Sequence, residues 1–255
     1  ADLHQVQQDR YSIPARVLLP LLQGLEMGDP VLREAAALLD DWDLQLDAES
    51  APAAIYMAWE GNLRQRAEEL FVPSGARDMV TVPTVRVLDW FTSPDGHFGE
   101  DPVGGRDAVL VQSLAEAVEQ LTEKFGPDMG QWAYGHLKNK HLWIRHAFSE
   151  VVSEEIRDRL DVGPAPRGGS GYTVDPAGYG PNQTSGPSYR IIADASNWDN
   201  SVATVNLPGQ SGNPASPHYR DLFDEYVSGK HTPLFFSREK IESVTERTIR
   251  LVPEG

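Results

Sequence analysis

Apolar side chains in RDAVLVQSLAEAVEQLTEKFG (106–126) recur at Leu110, Val111, Leu114, Val118 and Leu121, with Gly126 just beyond. That rhythm lines one stripe of a helix, and a stripe of this width has to be buried against another element. Two more segments repeat the pattern. VLREAAALLDDWDL aligns Leu32, Ala35, Ala36, Leu39 and Trp42, and APAAIYMAWEGNLRQRAEELF aligns Ile55, Ala58, Trp59, Leu63, Ala67 and Leu70. RYSIPARVLLPLLQG adds Ile13, Val17, Leu18, Leu21 and Leu22 and stops at Gly24. Pro20 has no N–H to donate, so it is expected to end or kink that helix early. TSPDGHFGEDPVGG (92–105) reads as a turn-rich connection.

Composition changes after Leu160. VGPAPRGGSGYTVDPAGYGPNQTSGPS (162–188) is dominated by Gly, Pro, Ser and Asn, yet carries Tyr172, Val174 and Tyr179. A solvated linker has no use for those side chains, so an ordered loop laid over a surface is expected. SYRIIADAS (188–196) and SVATVNLP (201–208) then read as a β-hairpin with Trp198 at its tip. RDLFDEYVSGK reads as a short helix stopped at Gly229, TPLFFS as a strand, SREKIESVTER as a helix capped by Ser237, and TIRLV as a final strand. The fold class is α+β: a helical segment, 1–160, followed by a β-rich segment, 161–255, with sheet strands and two short helices. No βαβ glycine fingerprint and no internal repeat is present.

The chain has 255 residues, with 38 acids against 22 basic residues and a net charge of −16. Such a field repels phosphate-rich partners, so no nucleic acid and no anionic membrane is expected. No apolar run approaches the ~18–20 residues of a membrane-spanning helix, and the first residues lack the pattern of a secretory signal. The absence of cysteine removes disulfides, thiolate zinc sites and a cysteine nucleophile together.

Three constellations are candidates for chemistry. Gly209-Gln210-Ser211-Gly212, with His218 and Asp221 downstream, suggests nucleophile, base and orienter. A nucleophile elbow needs G-x-S-x-G and a distant histidine, whereas here the second glycine comes one place early. The loop is therefore read as a structural turn, its path fixed by Gly209, Gly212, Pro214 and Pro217. His136, His141 and His146 are spaced by five, which puts successive rings ~140° apart on a helix, so convergence on a metal is not expected. Asp194, Asn197 and Asp199 alternate poorly for a calcium loop and lack its glycine, so they read as hairpin-tip residues.

Taken together, GGSGYTV, GPSYR, PGQSGNPASPHYRD and the S-G-K-x-x-P-L-x-F-S ending, in that order, resemble the C-terminal part of the penicillin acylase (penicillin amidase) family. Upstream, QQDRYSIPARVLLPLL, the W-D-L…A-A-I-Y-M-A-W-E segment and WAYGHLKNKHLWIRHAFS are similar to the helical stretch before it, so the resemblance covers nearly the whole chain. It implies an N-terminal nucleophile hydrolase with a four-layer αββα sandwich, of which this chain would hold a partial fold. It also implies a precursor that cuts itself into α and β chains, and a β-chain N-terminal serine whose α-amino group is the base. An asparagine and a backbone N–H would hold the oxyanion. Implied substrates are penicillins, N-acyl-homoserine lactones and related acyl amides; the implied location of the parent enzyme is periplasmic or secreted.

In that pattern the nucleophile, the oxyanion residues and the ligands of a structural calcium all lie upstream. Ala1 has no nucleophilic side chain, so no catalytic, substrate-binding or metal residue is assigned, and no cofactor is expected in this chain. Expected partners are the rest of the β chain, the α chain and a small acyl-amide substrate. The alternative is an autonomous binding or structural module derived from the family. As part of a larger acylase, the chain alone should be inactive. Its sheet hydrophobics in 188–208 and 232–252 should then be exposed, or covered in a dimer.

Overall fold

A computed structural model describes residues 3–178 and 180–253; Ala1 and the loop residue Tyr179 lie outside the described residues. In chain order the helices are α1 (Leu3–Gln7), α2 (Ile13–Leu22), α3 (Pro30–Asp40), α4 (Ala51–Phe71), α5 (Thr84–Thr92), α6 (Pro102–Phe125), α7 (Glu154–Leu160), α8 (Trp198–Ser201), α9 (Phe223–Val227) and α10 (Arg238–Ser243). The strands are β1 (His141–Ile144), β2 (Val162–Pro166), β3 (Tyr189–Ala193), β4 (Val202–Asn206) and β5 (Thr232–Pro233). Two compact units interleave along the chain. The larger holds Asp9–Trp143 and Pro164–Gly186; the smaller holds the residues up to Gln8, Ile144–Gly163, and those from Pro187 on. The composition break near residue 160 does not coincide with these compact units, which change over at other points.

Helix starts in the larger unit share one chemistry. Ser12, Asp29, Ser50 and Asp101 each accept a backbone N–H from the first turn, with a proline at the first or second helical position. The side chain satisfies a donor that the helix cannot, and proline removes another. Between α4 and α6 lie Trp59, Leu63 and Ala67 on one side and Leu110, Leu114 and Ala117 on the other, all fully buried. Polar groups in this seam are paired: Trp59 Nε1 donates to the Leu110 carbonyl at 3.0 Å and Asn62 Nδ2 to that of Ser113 at 3.1 Å. The stripes around Leu39, Trp59 and Leu114 thus form one core, which Phe91, Trp132 and Tyr134 join. Pro20 does not end its helix: α2 runs two residues further, to Leu22, and Gly24 follows with φ +80°. Pro20 sits in the last turn, where only one intrahelical bond is forfeited, while Leu18, Leu19 and Leu22 stay buried.

The Gly- and Pro-rich loop is ordered, and its described hydrogen bonds come chiefly from charged and polar side chains. Tyr172 is 39% exposed and Val174 60%. Arg167 grips Asp175 through two hydrogen bonds, of 2.7 and 2.8 Å, and Arg10 reaches the same carboxylate at 3.0 Å. Gln183 accepts from Arg167 Nε at 2.6 Å, the Asp175 N–H donates to the Asp9 carbonyl, and Tyr134 donates to that of Gly169 at 2.9 Å. Gly169, at φ +78°, turns the chain so tightly that a Cβ there would meet the Asp175 carbonyl.

In the smaller unit β3 and β4 pair antiparallel, from Tyr189 opposite Asn206 to Ala193 opposite Val202, and β5 adds Thr232 opposite Thr204. The hairpin tip holds the one-turn helix α8. α9 packs on β4, Phe223 and Tyr226 are buried, and the Arg190 guanidinium lies 4.1 Å from the Tyr226 ring. α10 starts at Ser237 as the sequence predicts, its side chain accepting from the Lys240 N–H. Two strand expectations need correction. TPLFFS keeps only Thr232–Pro233 as strand, and TIRLV is not a strand. A strand needs a neighbour to bond, and none among the described residues lies beside 248–252. Ile249, Leu251 and Val252 are 78%, 92% and 69% exposed.

Candidate functional site

The 208–222 loop does bring two of its three candidates together. His218 Nδ1 lies 2.7 Å from Asp221 Oδ2, and this bond raises the His218 pKa above its ordinary value. Ser211 does not join them. Its hydroxyl oxygen accepts from the Asn213 N–H at 3.1 Å, and its own N–H donates to the His218 carbonyl at 3.0 Å. A nucleophile needs its hydroxyl bonded to the base, so the serine arrangement fails on geometry. Gly209 is the steric key of the loop, because a Cβ there would sit 2.5 Å from the His218 carbonyl oxygen and 2.9 Å from Asp221 Oδ1. Gly212, in contrast, has open space and an ordinary φ, so the path does not require it.

Of the three candidate histidines, two accept a local backbone N–H. His136 Nδ1 accepts from the Lys138 N–H and His146 Nδ1 from the Phe148 N–H. His141 opens β1, and desolvation lowers its pKa. Asp199 accepts the N–H groups of Phe236 and Ser237 at 2.9 and 2.8 Å, Asp194 accepts that of Ser196, and both pKa values fall as a result. Asn197 accepts from Asn200. Among the described residues no three His, Asp or Glu side chains are placed to hold a metal ion.

A better-formed site lies within the larger unit, in a cleft of about 570 Å³. One wall is apolar: Ala54, Met57 and Ala58 from α4 and Leu121 from α6. The other carries Lys124, Tyr134, Asn139 and Lys140, with the exposed Glu123 also on the lining. The Lys140 side chain is buried, and its ammonium donates to the carbonyls of Gly178 and, at 2.9 Å, Gly180. Burial first, and then the Arg167 guanidinium, lower its pKa to about 8. Lys124 Nζ donates to Asn139 Oδ1 at 2.9 Å, and partial desolvation lowers its pKa too. The Asn139 amide is held in turn by its 2.8 Å bond to the Tyr134 carbonyl, so it presents a fixed face to Lys124. Among the described residues neither ammonium has a carboxylate partner. Sequence reasoning weighed only the histidines of WAYGHLKNKHLWIRHAF and passed over these lysines. The available signal was their clustering: three of only five lysines in the chain fall between 124 and 140.

Comparison with known proteins accounts for the fold. The sequence profile of the penicillin amidase family matches residues 1–243. An acyl-homoserine lactone acylase, QuiP, of Pseudomonas aeruginosa is 30% identical over 89% of this chain, which corresponds to 30% of that protein. Penicillin acylase 2 proenzyme of Pseudomonas sp. (strain SE83) is 27% identical over 99% of the chain and 33% of that protein. A solved thermostable penicillin G acylase from Alcaligenes faecalis superposes over 100% of this chain and 49% of that chain, with a TM-score of 0.56 at 16% identity. The mixed helix-and-sheet fold thus resembles that of a penicillin acylase. The chain spans about a third of the length of the curated relatives it matches. It belongs to the penicillin amidase family.

Proposed function

We propose that the chain is the C-terminal part of the β chain of an acylase that hydrolyses the amide bond of N-acyl compounds. Penicillins, acyl-homoserine lactones and related acyl amides are the substrate classes. The observation that carries this reading is the family match over residues 1–243. The nucleophile in this reading is an N-terminal serine of the parent β chain, its α-amino group serving as base, and it lies outside this sequence. Oxyanion donors and any structural calcium are likewise supplied by other parts of the parent, which is exported to the periplasm or secreted. Support comes from the geometry of the 208–222 loop, where Ser211 is spent on a backbone bond and has no base. The exposed Phe236, Ile249 and Leu251 are the faces that the rest of the β chain and the α chain would cover.

The test is hydrolysis of a chromogenic acyl amide, a penicillin and an acyl-homoserine lactone by the intact parent protein and by this chain alone. The parent should turn over at least one of them, with unchanged kcat/KM in a Ser211→Ala variant, and the isolated chain should release no acyl group. Activity of the isolated chain that disappears with Ser211→Ala would restore the serine reading. A parent inert on all three classes would leave a non-catalytic module as the better account.

A further inference from the structure

We infer that the cleft between α4, α6 and the 134–140 and 180–181 segments is a binding site for a small carboxylate carrying a short apolar tail. Three observations converge on it. First, two lysines on its polar wall lack a carboxylate partner among the described residues: Lys140 is buried, whereas Lys124 is exposed and adds only a solvent-screened attraction. Lys140 offers three donors and spends two on the carbonyls of Gly178 and Gly180. Lys124 spends one on Asn139. A buried ammonium without a counter-ion is costly, and an anion in the cleft would relieve that cost. Secondly, this pair occurs in a chain of net charge −16, whose long-range field does not favour anions. Attraction there must come from local donors, which select for an anion small enough to reach them.

The third observation is the shape of the opposite wall. Ala54, Met57, Ala58 and Leu121 offer only apolar surface, which a fully hydrated anion such as inorganic phosphate could not use. An anionic head at the lysines and a tail against Met57 would fill both halves. The volume of about 570 Å³ falls in the range of small-molecule sites. Glu123 is exposed and turns an equally charged rim towards solvent, which disfavours ligands with a second negative group at the tail end. The inference concerns the larger unit alone and does not rest on the acylase reading.

Titration of the 255-residue chain with hexanoate, followed by NMR chemical shifts, tests it. Saturable binding is expected, with shifts confined to α4, the C-terminal half of α6 and residues 134–140. Binding should weaken as salt is raised. Hexanol, hexylammonium and inorganic phosphate should each bind at least about tenfold more weakly, because each lacks one half of the recognition. Lys124→Glu, which touches no backbone bond, should weaken hexanoate about fivefold, and Ala58→Asp should do so through the apolar wall. Lys140→Met should abolish binding, its fold checked by the unchanged NMR spectrum of the α4 and α6 core of the larger unit. Absence of saturable binding would overturn the proposal, as would hexanol or phosphate matching hexanoate, or affinity indifferent to both Lys124→Glu and Ala58→Asp.

Discussion

Asp175 shows how much of the larger unit depends on one carboxylate. Its side chain is fully buried and takes Arg167 in a two-pronged grip together with Arg10. Removing it takes the shared carboxylate from Arg10 and from the buried Arg167, a loss of about 3–5 kcal/mol. Asp175→Ala should therefore lower the urea midpoint of the larger unit sharply, whereas an exposed change such as Asp78→Ala should stay within ~0.5 kcal/mol. An Asp175→Ala midpoint close to wild type would show that the loop is held by other contacts. His218 gives a second residue-level test. Its bond to Asp221 raises its pKa, so the ring titrates above the ~6.5 of a free histidine. A raised value means that the pair's stabilising contribution is present below ~6.5 and is lost as pH rises through the folded value. Ring shifts in an NMR titration should report this, and Asp221→Asn should bring the midpoint back towards ~6.5. Neither partner was hidden in the sequence. Their spacing made the pair visible, but only coordinates show that Ser211 turns away from it.

Among the elements, helices were the most legible and terminal strands the least. Ser12, Asp29, Ser50 and Asp101, each followed closely by proline, announce their helices chemically, and the apolar stripes say which face goes inside. α5 escaped notice because nine residues with Pro83 in place of a capping side chain give a weak signal. Pro20 misled because its breaking effect is strongest in a helix interior, whereas here it occupies the last turn of α2. Pro20→Ala restores an N–H able to bond the Arg16 carbonyl. It should raise the stability of the larger unit by about 1 kcal/mol, the gain being limited because proline also restrains the unfolded chain. A fall in thermal midpoint would mean that the ring's own packing outweighs the missing bond. Leu63→Ala, in the seam between α4 and α6, should cost about 2–5 kcal/mol, readable in the same denaturation experiment.

For the whole molecule, the smaller unit is where the chain is least self-sufficient. Phe236, Ile249, Leu251 and Val252 expose apolar surface that a lone domain would bury. In the proposed parent these side chains meet other segments, so Phe236→Asp with Leu251→Asp should reduce the yield of assembled enzyme. In the isolated chain the same pair should leave stability within ~0.5 kcal/mol and suppress any dimer seen by sedimentation. Unchanged assembly of the parent would remove this face from the interface. The sequence alone determined the helical stripes, the hairpin, the turn at Gly209 and the family resemblance, because each depends on local periodicity, local sterics or an ordered set of short motifs. Tertiary structure decided the rest. It supplied the arginine–aspartate grip on the Gly- and Pro-rich loop, because burial of charge depends on partners up to 165 residues apart. It denied TIRLV a strand, because a strand exists only beside another. It placed Lys124 and Lys140 on one cleft, because only packing of α6 against the 134–140 segment can turn two scattered cations into a site.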